Sequence, residues 1–442
     1  MGIIRMKVKK LKRIFTLCFI MVPLTFLYGC NNSKENTSVS VSDTNNKTVL
    51  TEQISPVPII YTKEETPKDT SSNVSNSNTS WNQKNHHKEF TLLAVGDNLM
   101  HLQVIESGLK EDGTFNYDHL YSRLKPEIEA ADIAVINQET ILGGKEFPYT
   151  GYPVFNSPTQ VGDALVQAGF DVVLHASNHT LDKGYQGVLN TLEYWSKHPQ
   201  ITVLGINKNQ GDQDTIKILE INGIKVAMLN YTYGLNGFTM PKNKPFLVNM
   251  LDKSKMKEDI RRAKEQADFV IVFPHWGTEY EYEPDKKQKE LAYFFAEEGV
   301  DLVIGTHPHV LEPVEWVVSN SGHRMLIYYS LGNYVSYQKE APRMLGGMAH
   351  ITITKENEVT YISEAGITPI VTHYESTKDY SYEVYKLEDY TIDKAIRHGI
   401  LNLQKESNFT LAGTRKLAKQ ILGDWKNLFH YPIRQDVKYS LE

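Results

Sequence analysis

Residues 269–309 read FVIVFPHWGTEYEYEPDKKQKELAYFFAEEGVDLVIGTHPH. Phe269–Phe273 consists wholly of aromatic and β-branched residues, the composition of a buried strand. Asp285–Gly299 is punctuated as a helix, with Asp285 as N-cap and Gly299 as the stop. Leu302–Ile304 is a second short apolar strand. Strand, helix and strand in succession predict an α/β fold with a largely parallel inner sheet. In such folds sites form at the carboxyl ends of the strands. Here those ends are Pro274-His275-Trp276-Gly277-Thr278-Glu279 and Gly305-Thr306-His307-Pro308-His309.

The same alternation runs outward from this unit. Phe90–Val95, Ile133–Ile136, Val172–Leu174, Ile201–Leu204 and Lys225–Leu229 read as further buried strands. Tyr117–Ala131, Gln160–Gly169, Tyr185–Lys197 and Lys253–Gln266 read as the helices between them. Thr215–Ile221 and Ile224–Leu229, joined through Asn222-Gly223, predict a hairpin with a type I′ turn. From about Glu315 the texture is strand-rich: Trp316–Val318, Met325–Tyr329, Met348–Thr354 and Val359–Val371. Two strand-rich halves flanked by helices predict a four-layer α/β/β/α sandwich over 89–375. The polar stretch 376–442, with Ile392–Gln404 and Leu411–Leu422, is expected to be a helical tail.

Three more strand ends are rich in ligand-type residues: Gly96-Asp97-Asn98, Asn137-Gln138-Glu139, and the run His175 to Gly184 that contains Asn178, His179 and Asp182. Any one such residue is ordinarily a cap or a turn, and Asn178 and Asp182 suit an Asx-turn and N-cap. Five ligand-type clusters at five strand ends are not accounted for by capping. Carboxylate, amide and imidazole donors without a thiolate suit manganese, iron, zinc or magnesium, as one ion or two. In His307-x-His309 the alternation of an extended segment is expected to aim both imidazoles the same way. Two ions about 3.5–4 Å apart would generate a hydroxide and clamp a displacement at phosphorus or a carbonyl. Trp276 reads as core, while Glu279 and Asp182 have two readings, as carboxylates fixing imidazole tautomers or as helix caps and surface charge.

Composition narrows the field. With 40% hydrophobic and 23% charged residues, the 442-residue chain is an ordinary globular protein and not a fibrous or polytopic membrane one. Its net charge of −6 argues against a general nucleic-acid binder, and its two cysteines exclude a disulfide scaffold or a four-cysteine zinc site. Residues 1–13 carry Arg5, Lys7, Lys9, Lys10, Lys12 and Arg13 and no acid, and Ile14–Tyr28 is nearly all apolar. That is the pattern of a signal peptide over 1–29. Its Leu27-Tyr28-Gly29-Cys30 ending resembles a bacterial lipobox, which implies a lipidated Cys30; an uncleaved anchor helix is the alternative. Either places the rest of the chain at the outer face of a membrane. Cleavage would take six positive charges from a chain of net −6, leaving about −12. Residues 30–88, poor in aromatics and rich in Ser, Asn and Thr, read as a disordered tether in which His86 and His87 are linker residues.

Gly96-Asp97, Asn137-x-Glu139, Ser177-Asn178-His179-x-x-Asp182-x-Gly184, His275-Trp276-Gly277-x-Glu279-Tyr280, Gly305-x-His307-Pro308-His309-Val310 and Tyr329-Ser330-Leu331-Gly332-Asn333-Tyr334 together resemble the CapA family of poly-gamma-glutamate capsule biosynthesis proteins. That family is similar to the calcineurin-like metallophosphoesterases, which implies a metallophosphatase-like sandwich. The resemblance implies Asp97, Glu139, Asn178, His275, His307 and His309 as metal ligands. It implies His179 as a general acid, with Asp182 beside it. The superfamily's Asp-x-His has Leu99 in its third position here, with His101 two residues on, and Glu139 replaces an aspartate. Both departures weaken one metal position. Three functions are expected to compete. The first is a membrane-anchored, metal-dependent hydrolase or transferase acting on poly-gamma-glutamate or another anionic surface polymer. The second is an extracellular phosphoesterase. The third is a non-catalytic scaffold for a membrane polymer synthase or for export.

Overall fold

The computed structural model describes residues 87–376, 380–403 and 409–423 and the backbone of Ile433–Arg434. All belong to the unit Ser80–Glu442. The expected signal peptide, Cys30 and nearly all of the expected tether lie outside the described residues. The tether's last two residues, His87 and Lys88, instead open a strand, paired with Glu356 and Lys355.

In chain order the strands are β1 (His87–Asn98), β2 (Ile133–Asn137), β3 (Val172–Leu174), β4 (Thr202–Leu204), β5 (Lys217–Ile221), β6 (Ile224–Thr232), β7 (Phe269–His275) and β8 (Leu302–Ile304). They continue as β9 (Val314–Val318), β10 (Arg324–Tyr328), β11 (Asn333–Val335), β12 (Leu345–Glu356), β13 (Val359–Ser376), β14 (Tyr380–Lys386) and β15 (Ile433–Arg434). One sheet has the order β14-β13-β12-β1-β2-β3-β4, with β11 also on β1; the other is β15-β9-β10-β8-β7-β6-β5. β1 to β4 are parallel, as are β6, β7, β8 and β10, while the long β12–β13–β14 ribbon is antiparallel.

Strand periodicity builds the layers. Along β6, Ile224, Val226 and Met228 join the core shared with the first sheet. Their alternates Ala227, Leu229 and Tyr231 pack with Met256, Ile260 and Phe295 on the helical side. Phe269, Ile271 and Phe273 against Val270 and Val272 divide β7 in the same way. On the first sheet, Val161, Leu165 and Trp195 of helices Gln160–Ala168 and Gly184–Trp195 belong to the common core. The arrangement is the expected α/β/β/α sandwich.

Local chemistry holds the boundaries. Asp285 and Gln288 form a capping box on helix Lys286–Glu297. Asn222 and Gly223 both have positive φ, as a type I′ hairpin requires. Two expectations fail. The helix expected over 117–131 is broken into Asp118–Tyr121 and Lys125–Ala130, because Pro126 is tolerated only in a first turn. The helical tail expected from 376 begins as β14, hydrogen-bonded along β13, and the helix expected at 392–404 shrinks to Ile392–Ala395 and a 3-10 turn. That strand is the edge of its sheet, with buried Tyr382 and Val384 alternating with more exposed Ser381 and Glu383.

Candidate metal centre

The ends of β1, β2, β3, β7 and β8 are brought together by close backbone approaches. A Cβ at Gly96 would lie 1.9 Å from the Gly332 carbonyl oxygen, and one at Gly305 would lie 2.0 Å from that of Tyr329. Only glycine lets these strand ends sit against the Tyr329–Gly332 segment. The pairing of β1 shifts register between Val95 and Asp97 on β2, and between Asp97 and Asn98 on β11. A shift of this kind re-aims a side chain at a strand end, and here the side chain is Asp97.

Asp97, Glu139 and His309 form one group of potential ligand atoms lying within 4.8 Å of one another; Glu279, His307 and His309 form a second. Asp97, Glu139, His275, His307 and His309 are all buried. Asp97 Oδ1 accepts from Asn137 Nδ2 at 2.8 Å, and its Oδ2 is 3.1 Å from His309 Nδ1. Asn178 Oδ1 is 2.8 Å from His275 Nε2, close enough for both to serve one ion. Four of the six predicted ligands fall in these two groups, and the Asn178–His275 pair adjoins them through the His275 ring, 4.8 Å from that of His307. Among the described residues, neither Glu139 oxygen nor His307 Nδ1 has a hydrogen-bond partner. Buried polar atoms are nearly always paired, so these donors fit a divalent cation.

The loop that carries the histidine pair is not extended. His307 and His309 have φ of 102° and 59°, and Tyr280 and Asn236 beside the site are also left-handed. Such backbone costs on the order of 1–3 kcal/mol per residue and persists only where surroundings impose it. Here Tyr280 N–H donates to the Pro308 carbonyl at 2.8 Å, and Asn333 Nδ2 donates to that of His309 at 3.2 Å. The expected strand-like alternation is therefore wrong, but the turn still brings the two rings to 5.9 Å.

His179 and Asp182 meet as a pair: His179 Nδ1 is 2.8 Å from Asp182 Oδ2, which also accepts the Phe155 N–H at 2.6 Å. A carboxylate oxygen already accepting one proton assigns the imidazole proton to Nδ1. That leaves Nε2 facing Glu139, 4.0 Å from its Oε1. Phe155 stands edge-on to the ring at 4.6 Å, and Asn236 Nδ2 approaches both ring nitrogens at 3.3 and 3.4 Å.

Burial, reinforced by neighbouring imidazoles, holds His275 and His307 well below the usual histidine range, so both rings are neutral; the nitrogens of His275 face Thr306 Oγ1 and Asn178 Oδ1, whereas His307 Nδ1 has no partner among the described residues. Burial opposes the charged form of His309 as well, but the Glu139 and Asp97 carboxylates outweigh it and raise it to about 9. Burial pushes Glu139 up as well. The centre therefore holds a proton that a cation must displace.

His101 takes no part in these donor groups. Its Nδ1 accepts from the Tyr337 N–H at 3.2 Å, and it stays neutral because burial lowers it to about 3. Trp276 is core, donating to the Tyr329 carbonyl. Glu279 lies within 4.8 Å of ring nitrogens of both His307 and His309, beside the imidazoles as the first of its two sequence readings has it. Asn236, Asn333, Tyr233 and Arg343 also border the site. The Asn236-Gly237 turn signal was visible in the sequence; nothing marked Arg343.

The profile of the family described as bacterial capsule synthesis protein PGA_cap matches residues 91–338. The chain is 31% identical over 245 residues to the PGA biosynthesis protein CapA of Bacillus subtilis, covering 54% of this chain and 62% of that protein. It is 30% identical over 258 residues to the capsule biosynthesis protein CapA of Bacillus anthracis, covering 56% and 60% respectively. The aligned part thus spans less than two thirds of either relative. Among solved structures, the calcineurin-like phosphoesterase YfkN of Bacillus subtilis aligns at a TM-score of 0.39 and 14% identity, over 76% of this chain and 98% of that one. A 5'-nucleotidase precursor from Thermus thermophilus aligns at 0.39 and 14%, over 75% and 58%.

Proposed function

The chain belongs to the bacterial capsule synthesis protein family PGA_cap, and on that premise we propose that it is a metal-dependent hydrolase or transferase acting on poly-gamma-glutamate or a similar anionic surface polymer. The observation that carries the reading is the set of buried atoms without a hydrogen-bond partner among the described residues, Glu139 Oε1 and Oε2 and His307 Nδ1, beside further donors. Asp97, Glu139, Asn178, His275, His307 and His309 would hold one or two divalent ions, with Glu279 as an added ligand. The ion supplies Lewis acidity and an activated water at neutral pH. With Asp182 holding Nδ1–H, His179 Nε2 would take a proton from the attacking water and pass it to the leaving group, and Asp182 would stabilise the imidazolium formed in between. Phe155 packed on the ring keeps water from that face. On the polymer the bond broken would be the amide C–N: the water oxygen bonds to the carbonyl carbon, and the nitrogen leaves as an amine that carries away that proton.

In the same reading residues 1–29 direct export and a lipidated Cys30 holds the chain at the outer membrane face. Among the described residues no helix is long and apolar enough to cross a membrane. The test is elemental analysis of the purified full-length chain, followed by incubation with poly-gamma-glutamate and with a generic phosphodiester. Bound metal with shortened polymer supports the reading. Phosphodiester turnover alone moves the substrate to a phosphoester, and metal-free protein with full capsule output leaves only the scaffold role. His179→Ala should lower kcat about 10²–10⁴-fold with metal content unchanged.

A further inference from the structure

Arg343 lies in a 3-10 turn, Ala341–Met344, beside the metal centre. Its guanidinium carbon sits 3.4 Å from the centroid of the Tyr280 ring, and that ring stands 6.0 Å from His309. The backbone of Arg343 is tied to the same histidine through one side chain: Asn333 Nδ2 donates to the Arg343 carbonyl at 3.0 Å, and Asn333 Oδ1 is 3.1 Å from His309 Nδ1. Two independent contacts thus fix this cation next to the ligand loop. Stacking on an aromatic face holds a guanidinium flat while leaving its edge free for a planar anion.

The edge has one carboxylate partner. Glu340 Oε2 is 3.0 Å from Arg343 Nη2, and the Glu340 side chain is 54% exposed against 15% for Arg343. Among the described residues Arg343 Nε, which is buried, has no partner. An ion pair with an exposed carboxylate is worth little, so another anion can replace Glu340 at small cost. The contrast with Lys183, beside the general acid, is instructive. Its Nζ is already committed to Thr150 Oγ1 at 3.0 Å and the Val154 carbonyl at 3.1 Å.

We propose that Arg343 is the anion anchor of the substrate: its guanidinium, laid on Tyr280 beside the metal centre, exchanges Glu340 for a carboxylate or phosphate group of the bound chain. This rests on the reading of the centre as one that acts on an anionic substrate. It also answers the difficulty raised by an acidic protein holding a polyanion. A fixed local cation, next to ligands that hold further positive charge when loaded, selects the anion at short range even though the net charge repels it at long range.

The test measures binding of three probes to the full-length, metal-loaded chain: a γ-linked glutamate oligomer, the same oligomer with its side carboxylates amidated, and inorganic phosphate. Arg343→Ala should weaken oligomer binding at least about tenfold, and Arg343→Lys, which keeps the charge but loses the fork and the stack, by about threefold. Glu340→Gln, a surface change that leaves the fold alone, should tighten it about twofold to threefold. The amidated oligomer should not distinguish the variants, and metal content should stay constant. If only phosphate binding responds, the anchored group is a phosphate. Oligomer and phosphate binding indifferent to both Arg343→Ala and Glu340→Gln would overturn the anchor while leaving the substrate reading standing. A wild-type chain that binds neither anion would remove both.

Discussion

Two clusters of buried histidines in this molecule differ in what they lack. In the C-terminal part of the described chain, His373 Nδ1 meets the Tyr390 hydroxyl at 2.8 Å and its Nε2 lies 3.3 Å from Glu375. His398 Nε2 donates to the Thr372 carbonyl at 2.9 Å, and its Nδ1 accepts the Ile400 N–H at 3.1 Å. Every ring nitrogen there has a partner, and the acid of the group, Glu375, faces Lys394 and Arg397. At the strand ends, by contrast, Asp97, Glu139 and Asp182 are all buried, and among the described residues Glu139 and His307 keep atoms without hydrogen-bond partners. Burying a carboxylate without hydrogen bonds to its oxygens is costly. A fold that tolerates this at one place and satisfies every histidine at another separates a site for a cation from a site that only packs.

The contrast breaks most sharply on substitution. Glu139→Gln keeps the shape but removes a charged ligand, so metal affinity should fall at least about tenfold, with metal-free thermal stability changed little, because relief of a buried carboxylate is offset by the loss of a partner for His309. Elemental analysis and thermal denaturation of the same sample read both. His398→Ala should do the reverse. It strips two buried hydrogen bonds and the ring packed 4.4 Å from Phe409, costing about 2–4 kcal/mol with metal content intact. Equal loss of metal in both variants would remove the distinction.

Metal itself sharpens the comparison. Saturation at about a hundred times Kd should stabilise the wild-type chain by about 2.7 kcal/mol, and His307→Ala by much less. The apparent affinity should fall as pH drops below about 9, because the proton held on His309 at the Asp97 and Glu139 carboxylates competes with the cation, by up to about tenfold per pH unit for one proton displaced. Calorimetric titration from about pH 6 to about pH 9 reads this directly. A pH-independent affinity would mean that no proton leaves on binding.

The strand ends were legible because continuous apolar runs such as Phe269–Phe273 stop abruptly at residues of ligand type, and His179 with Asp182 three residues on is a local pair. The two-sheet architecture followed from the same runs. What stayed hidden depends on chain crossings. Asn333 reaches His309 only because Gly332 and Gly96 let two backbones touch, and Arg343 reaches Tyr280 across more than sixty residues of chain. The left-handed turns at His307 and His309 run against the preference of both residues and come from the hydrogen bonds of Tyr280 and Asn333. β14 was obscured because an edge strand is half-exposed, so its alternation is diluted by the polar residues around it.

Glu312 is the intermediate case, and it asks whether one unpartnered buried oxygen is enough to signal chemistry. Gln288, which also closes the capping box of its helix, donates to Glu312 Oε2 at 2.7 Å. Among the described residues Oε1 has no partner. Burial raises Glu312 to about 8, and it lies outside both donor groups. The folded form therefore prefers the neutral acid. Its contribution to stability is whole below the ordinary carboxylate value and is lost as pH rises towards about 8. Glu312→Gln should accordingly match the wild type near pH 4, yet be more stable by about 1–3 kcal/mol at pH 9, with metal content unchanged at both. Urea denaturation at the two pH values measures the difference. A loss of metal in this variant would extend the centre to Glu312; a gain confined to high pH would show that a lone buried oxygen stores only a proton, and that the cation site is marked by convergence of several such atoms.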